Sequence, residues 1–134
     1  MKRRKFSLNK LWRDKAPANM QAQGAIIHLK ILDDNEYKHQ LGLKLIEEAN
    51  EVSTAENIDD LTSELADILE VVKCIAQAHA ISMAAITKRQ AEKIEERGSF
   101  LERKFVTVAE YLPGSFGENY ALHDLERHPE IIED

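Results

Sequence analysis

Apolar positions recur at helical spacing through the middle of the chain, and two acidic clusters interrupt that rhythm on its inward side. At about 100° per residue, Leu41, Leu45, Glu48 and Val52 share one stripe, which predicts a helix over about 35–53. Asp33 or Asp34 caps it, and Glu36 stands three residues after Asp33 as a capping box requires. A second helix opens at Asn57 or Asp59 and reaches about His79, with Leu61, Leu65, Ile68, Leu69, Val72, Ile75 and Ala76 on a broad apolar face. A third runs over about 82–97 and stops at Gly98, the C′ position. Its stripe of Met83, Ile86 and Ile94 is thin and broken by Gln90. Such a helix lines a wet groove or packs on a second subunit. Only 12 residues separate Glu51 from Glu64, so the first two helices form a tight antiparallel pair.

Outside these helices the pattern changes. Residues 25–32 (AIIHLKIL) alternate partly and read as a short strand, with residues 105–108 as a possible partner. Residues 1–24 read as an irregular arm, and the text after about 109, with its Pro and Gly, as an ordered surface tail. The expected architecture is a single, mainly α domain over 1–134. Its antiparallel helical bundle has a core at about 34–98, a small β element, and oligomerisation to complete the core.

The acids are the anomaly. Glu48 lies in the middle of a core-facing stripe, Glu51 flanks it, and Glu47 lies slightly beyond; on the next helix Glu64 and Asp67 lean toward the apolar face. A carboxylate placed there costs several kcal/mol unless it is neutralised. Two i,i+3 pairs that both lean inward point to a carboxylate cage for Mg²⁺ or Mn²⁺, completed by water and substrate phosphate. A di-iron bundle needs two Glu-x-x-His pairs, and the chain has one such spacing, Glu36 to His39. The scarcity of histidines also disfavours catalytic zinc.

Composition narrows the rest. A net charge of −6 argues against a nucleic-acid polymer as partner, and no apolar run approaches the ~18 residues a membrane span requires. The basic opening Met1–Lys5 does not lead into an apolar h-region, so it is not expected to be a secretory signal. One cysteine, Cys74, excludes an internal disulfide and suits a reducing cytoplasm; it is expected to pack as a small hydrophobe. Basic residues crowd the N-terminus and the region from Lys88 to Lys104, as solvated charge or as cations for phosphate. Phosphate is not held by a glycine cradle, because the chain has neither GxxxxGK[ST] nor GxGxxG. Trp12 reads as a packing anchor, with stacking on a base as the alternative.

Lys44–Glu51 (KLIEEANE) followed by Glu64–Glu70 (ELADILE) resembles the EExxE…ExxD signature of the MazG-like, all-α nucleoside triphosphate pyrophosphohydrolase superfamily. Within it the chain is most similar to a branch labelled phosphoribosyl-ATP pyrophosphohydrolase-like. That branch shares a K-L-[VW]-R-D-K element, here Lys10–Lys15, the helix end KIEERGSF at 93–100 and the tail PGSFGENYAL. Ser99 stands where a glycine is common, and Ala16 precedes Pro17 where a larger apolar residue is usual. The resemblance implies Mg²⁺-dependent hydrolysis between the α- and β-phosphates of a nucleotide, giving a monophosphate and pyrophosphate. It implies Glu48, Glu51, Glu64 and Asp67 as metal ligands, and Glu47 as an outer acid that orients water. Lys93 and Arg97 would contact phosphate, assisted by Lys44, with Arg13 and Lys15 as further candidates. A homodimer or homotetramer is expected. Nucleotide-pool house-cleaning, phosphoribosyl-ATP hydrolysis and a catalytically silent helical module are the functions to separate.

Overall fold

The computed structural model describes residues 2–134, and among them every regular element is a helix. In order these are α1 (Ala16–Ala22), α2 (Asp34–Thr54), α3 (Ile58–Ala78), α4 (Met83–Arg97) and α5 (Phe116–Leu122). The chain divides into two compact units, one up to Glu96 and one from Arg97 to Asp134.

The first unit is organised by the α2–α3 hairpin. Asp33 caps α2 by accepting the Glu36 backbone N–H at 2.8 Å, and Asn57 caps α3 by accepting that of Asp60 at 2.8 Å. Each cap satisfies a donor the helix leaves open and contributes about 1 kcal/mol. Only residues 55–57 separate the helices, so the last turn of α2 faces the first turns of α3. The hairpin buries Leu41, Val71 and Ala76, and with them Glu48. Cys74 is free and half-buried on α3. Past Ala80, whose φ of +57° ends the helical path, α4 leaves α3 at 113°.

That core is thin. Leu65 (47%) and Leu69 (68%) stand exposed on the apolar face of α3, and Ile46 (60%) on α2. Burying a large apolar side chain yields ~1.5–3 kcal/mol, whereas ordering each residue costs ~1–2 kcal/mol of backbone entropy. Three buried apolar residues do not offset two 21-residue helices. No single helix is long and apolar enough to cross a membrane.

The second unit contains α5. Ser115 caps it by accepting the Glu118 N–H at 3.3 Å, and Glu118 Oε1 reaches back to the Gly114 N–H at 3.1 Å. The ring of Tyr111 lies against Gly117, where any Cβ would collide with it. Tyr120 stacks with Phe116 and tilts against His128.

Two expectations need correction. The β element does not form: residues 25–32 and 105–108 belong to no regular element, and among the described residues there is no strand. An alternating segment becomes a strand only with a ladder partner, and here Ile31 and Phe105 are left to solvent. The N-terminal arm is also less irregular than its text suggests. Pro17 enters the first turn of α1, where its missing N–H costs nothing, and the Ala- and Gln-rich stretch after it propagates a helix.

Candidate metal and phosphate site

Glu48 and Glu51 sit one turn apart near the end of α2, and Glu64 sits in the second turn of α3. The turn at 55–57 folds these segments onto one another. One carboxylate oxygen from each of the three lies within 4.8 Å of the others. Glu48 is 5% exposed, and its Oε2 has no hydrogen-bond partner; Glu64 Oε2 is likewise buried and unpartnered. Oxygen donors in this number, crowded and unpaired, are what a hard divalent cation requires. The residues present therefore fit a bound cation.

The electrostatics agree. Glu64 is pushed up to about 7, first by the neighbouring Glu51 carboxyl, then by burial and by Glu48. Glu48 is also raised, chiefly by burial, with the charges of Glu51 and Asp67 adding to it despite a favourable interaction with Glu64. Three neighbouring carboxylates cannot all ionise without a compensating charge.

The cations lie on the other side. Lys44 Nζ is 3.3 Å from Glu47 and 3.6 Å from Glu48, and Lys10 Nζ is 3.1 Å from Glu47. Burial alone would raise Glu47, but Lys10 and Lys44 together hold it below the usual carboxylate range. Arg13 donates to Asp67 Oδ1 at 2.6 Å, a hydrogen bond that strengthens the hold of Arg13 on its proton. Lys10 and Arg13 are well exposed, so each pair is worth only ~0–1 kcal/mol and exchanges readily for another anion.

Two grooves meet at these acids. One, of about 250 Å³, is lined by Glu51, Thr54, Ala55, Glu56, Asp60 and Glu64 at the hairpin turn. The other, of about 290 Å³, runs under the N-terminal segment and is lined by Lys10, Leu11, Trp12, Arg13, Ala16, Lys44, Glu48 and Asp67.

Of the expected site residues, the structure gathers Glu48, Glu51 and Glu64 into one cluster and sets Asp67 beside it in the grip of Arg13. Glu47 stands outside the trio, paired with Lys10 and Lys44. Lys93 is exposed on α4 and belongs to neither groove. Arg97 closes α4 at the start of the second unit. Lys15 precedes α1 and makes no ion pair among the described residues. The residue missed was Lys10. Its spacing of three from Arg13 was visible, but the carboxylate it meets lies 37 positions away.

Residues 37–99 match the family model of the MazG nucleotide pyrophosphohydrolase domain. That segment is a MazG-like domain. The match takes in nearly all of α2, all of α3 and α4, and every carboxylate of the trio. No curated protein and no solved structure shows significant similarity to the chain. The match of this segment points to nucleotide pyrophosphohydrolases, a generally metal-dependent family, and the trio could bind a metal.

Proposed function

We propose that the protein is a Mg²⁺-dependent nucleotide pyrophosphohydrolase, with Mn²⁺ as a possible substitute. It cleaves a nucleoside triphosphate between the α- and β-phosphates: water adds across the Pα–O–Pβ linkage, and the products are a monophosphate and pyrophosphate. The observation that carries this reading is the convergence of Glu48, Glu51 and Glu64, with two buried carboxylate oxygens left unpaired.

Glu48, Glu51 and Glu64 would hold the cation, whose chemistry is to polarise a phosphoryl oxygen and to acidify water. Asp67 is the fourth candidate ligand, freed when Arg13 moves from it to a phosphate oxygen. Glu47, kept ionised by its two lysines, is suited to accept a hydrogen bond from the attacking water and so orient it. Lys44, Arg13 and Lys15 supply positive charge for the phosphates.

A homodimer or homotetramer fits the exposed Leu65 and Leu69, which a second copy would cover. In such an assembly α4 of one copy is free to bring Lys93 and Arg97 to phosphates held by another. Light scattering should then report a mass at least twice that of the chain, and Leu69→Glu should lower it. A monomer at micromolar concentration would overturn the assembly. We place the protein in the cytoplasm, where the lone thiol of Cys74 stays reduced.

The activity is tested by incubating the protein with Mg²⁺ and a panel of ribo-, deoxy- and modified nucleoside triphosphates together with phosphoribosyl-ATP. Pyrophosphate release across the panel is expected and supports house-cleaning of the nucleotide pool. Turnover of phosphoribosyl-ATP alone would assign histidine biosynthesis instead. Release of orthophosphate, or no turnover with metal binding intact, would contradict the pyrophosphohydrolase reading; the latter result leaves a silent helical module.

A further inference from the structure

The acids separate two grooves of opposite character, and a substrate can extend from them in only one direction. The groove at the hairpin turn carries Glu51, Glu56, Asp60 and Glu64, with no cation and no aromatic ring. With Glu51 and Glu64 committed to a cation, Glu56 and Asp60 still leave this groove anionic, and it offers a base no face to lie on. The groove under the N-terminal segment has both: Lys10, Arg13 and Lys44 bring three cations, and Leu11, Trp12 and Ala16 bring apolar wall. Glu48 joins this groove to the trio, since it lines the former and belongs to the latter. It is also the most buried acid, with an unpartnered oxygen.

We propose that this second groove seats the nucleoside of the substrate, with the half-buried indole of Trp12 as the platform on which the base stacks. The inference rests on the pyrophosphohydrolase reading and gives it a direction. Phosphates held near Glu48 lie within the field of Lys10, Arg13 and Lys44, and the nucleoside continues along the N-terminal segment. Lys10 and Arg13, which flank Trp12 in sequence, meet Glu47 on α2 and Asp67 on α3, so the segment that carries Trp12 lies alongside the hairpin. Stacking is tolerant of base identity because every base has a π face. The site therefore selects nucleotides over other polyphosphates, and discriminates little between bases.

Trp12 is the one tryptophan of the chain, so intrinsic emission reports on it directly. The full chain with Mg²⁺ is titrated with an α,β-methylene nucleoside triphosphate and, separately, with inorganic tripolyphosphate. The nucleotide analogue is expected to quench the emission to saturation, and tripolyphosphate to leave it nearly unchanged. In turnover assays Trp12→Ala is expected to raise KM for nucleotides about ten-fold or more. Its kcat should stay within about two-fold, and Trp12→Phe, which keeps a ring, should recover most of the loss. Inhibition by tripolyphosphate should be the same in all three proteins.

Unchanged emission at a saturating concentration of the analogue would overturn the proposal. So would an equal weakening of nucleotide and tripolyphosphate in Trp12→Ala, which marks a packing role. Either result with pyrophosphate release intact removes the stacking platform and leaves the activity standing. If the analogue does not bind and no nucleotide is hydrolysed, both readings fall together.

Discussion

Replacing Glu48 or Glu64 with Gln removes nucleotide turnover by at least about 10²-fold, the scale on which losing one electrostatic contact to a transition state is felt. Each substitution keeps the shape of the side chain and takes away the charge that holds the cation. Neither should unfold the protein. Glu48 is buried beside Glu51 and Glu64, so neutralising one member of the trio relieves repulsion that the metal-free fold carries. Glu64→Gln mimics the protonated state that Glu64 already favours up to about pH 7. Its melting temperature without metal should equal or exceed that of the wild type above neutral pH. Glu47→Gln is a milder change, because Glu47 lies outside the trio and is paired with Lys10 and Lys44. Steady-state kinetics paired with circular dichroism melts check all three. Near-normal turnover in Glu48→Gln or Glu64→Gln would remove these residues from the cation site.

The second large effect is a stability that depends on pH and metal together. Glu64 has a folded-state value of about 7, raised above its ordinary 4.5. Between those values the folded protein holds a proton that the unfolded chain has lost. Its contribution is thus fully present below about 4.5 and disappears as pH rises through about 7. Without a divalent cation the melting temperature should therefore fall from pH 6 to pH 8. Mg²⁺ takes the proton's place, so its binding releases protons and strengthens as pH rises. At pH 8 and a concentration about a hundred-fold above Kd, the melting temperature should rise by roughly 10 °C. At pH 6 the rise should be much smaller. A Mg²⁺ response that is the same at both values, or that persists in Glu64→Gln, would separate the metal from Glu64.

Much of this was legible in the sequence because helices carry local signals. Asp33 with Glu36 and Asn57 with Asp60 announce the starts of α2 and α3 within four residues. The 3.6 period then fixes which side each acid faces, and so Glu48 could be found on the core stripe. The capping pair Ser115 and Glu118 carried the same signal for α5, but the surrounding Gly and Pro made the segment read as tail. Residues 25–32 and 105–108 misled for the opposite reason. Alternation in 25–32 is a local property, whereas a strand depends on a partner that local text cannot supply.

The site divides along the same line. The i,i+3 acids belong to single helices and were visible at once. The clasp of Lys10 on Glu47 and Arg13 on Asp67 spans 37 and 54 positions and exists only after folding. So does the split between an acidic groove and a cationic one. Lys93 and Arg97 share one helix face in the sequence, but α4 turns from α3 by 113°, an angle set at Ala80 that helical periodicity does not encode.

The central claim is that the carboxylates of Glu48, Glu51 and Glu64 form a divalent-cation site. Its most direct test is a titration of Mn²⁺ into the wild type, Glu48→Gln and Glu64→Gln at pH 8, with free Mn²⁺ read by electron paramagnetic resonance. Saturable binding by the wild type, competed by Mg²⁺ and lost in both variants, is the predicted result. Binding of equal stoichiometry and affinity in all three proteins would contradict it.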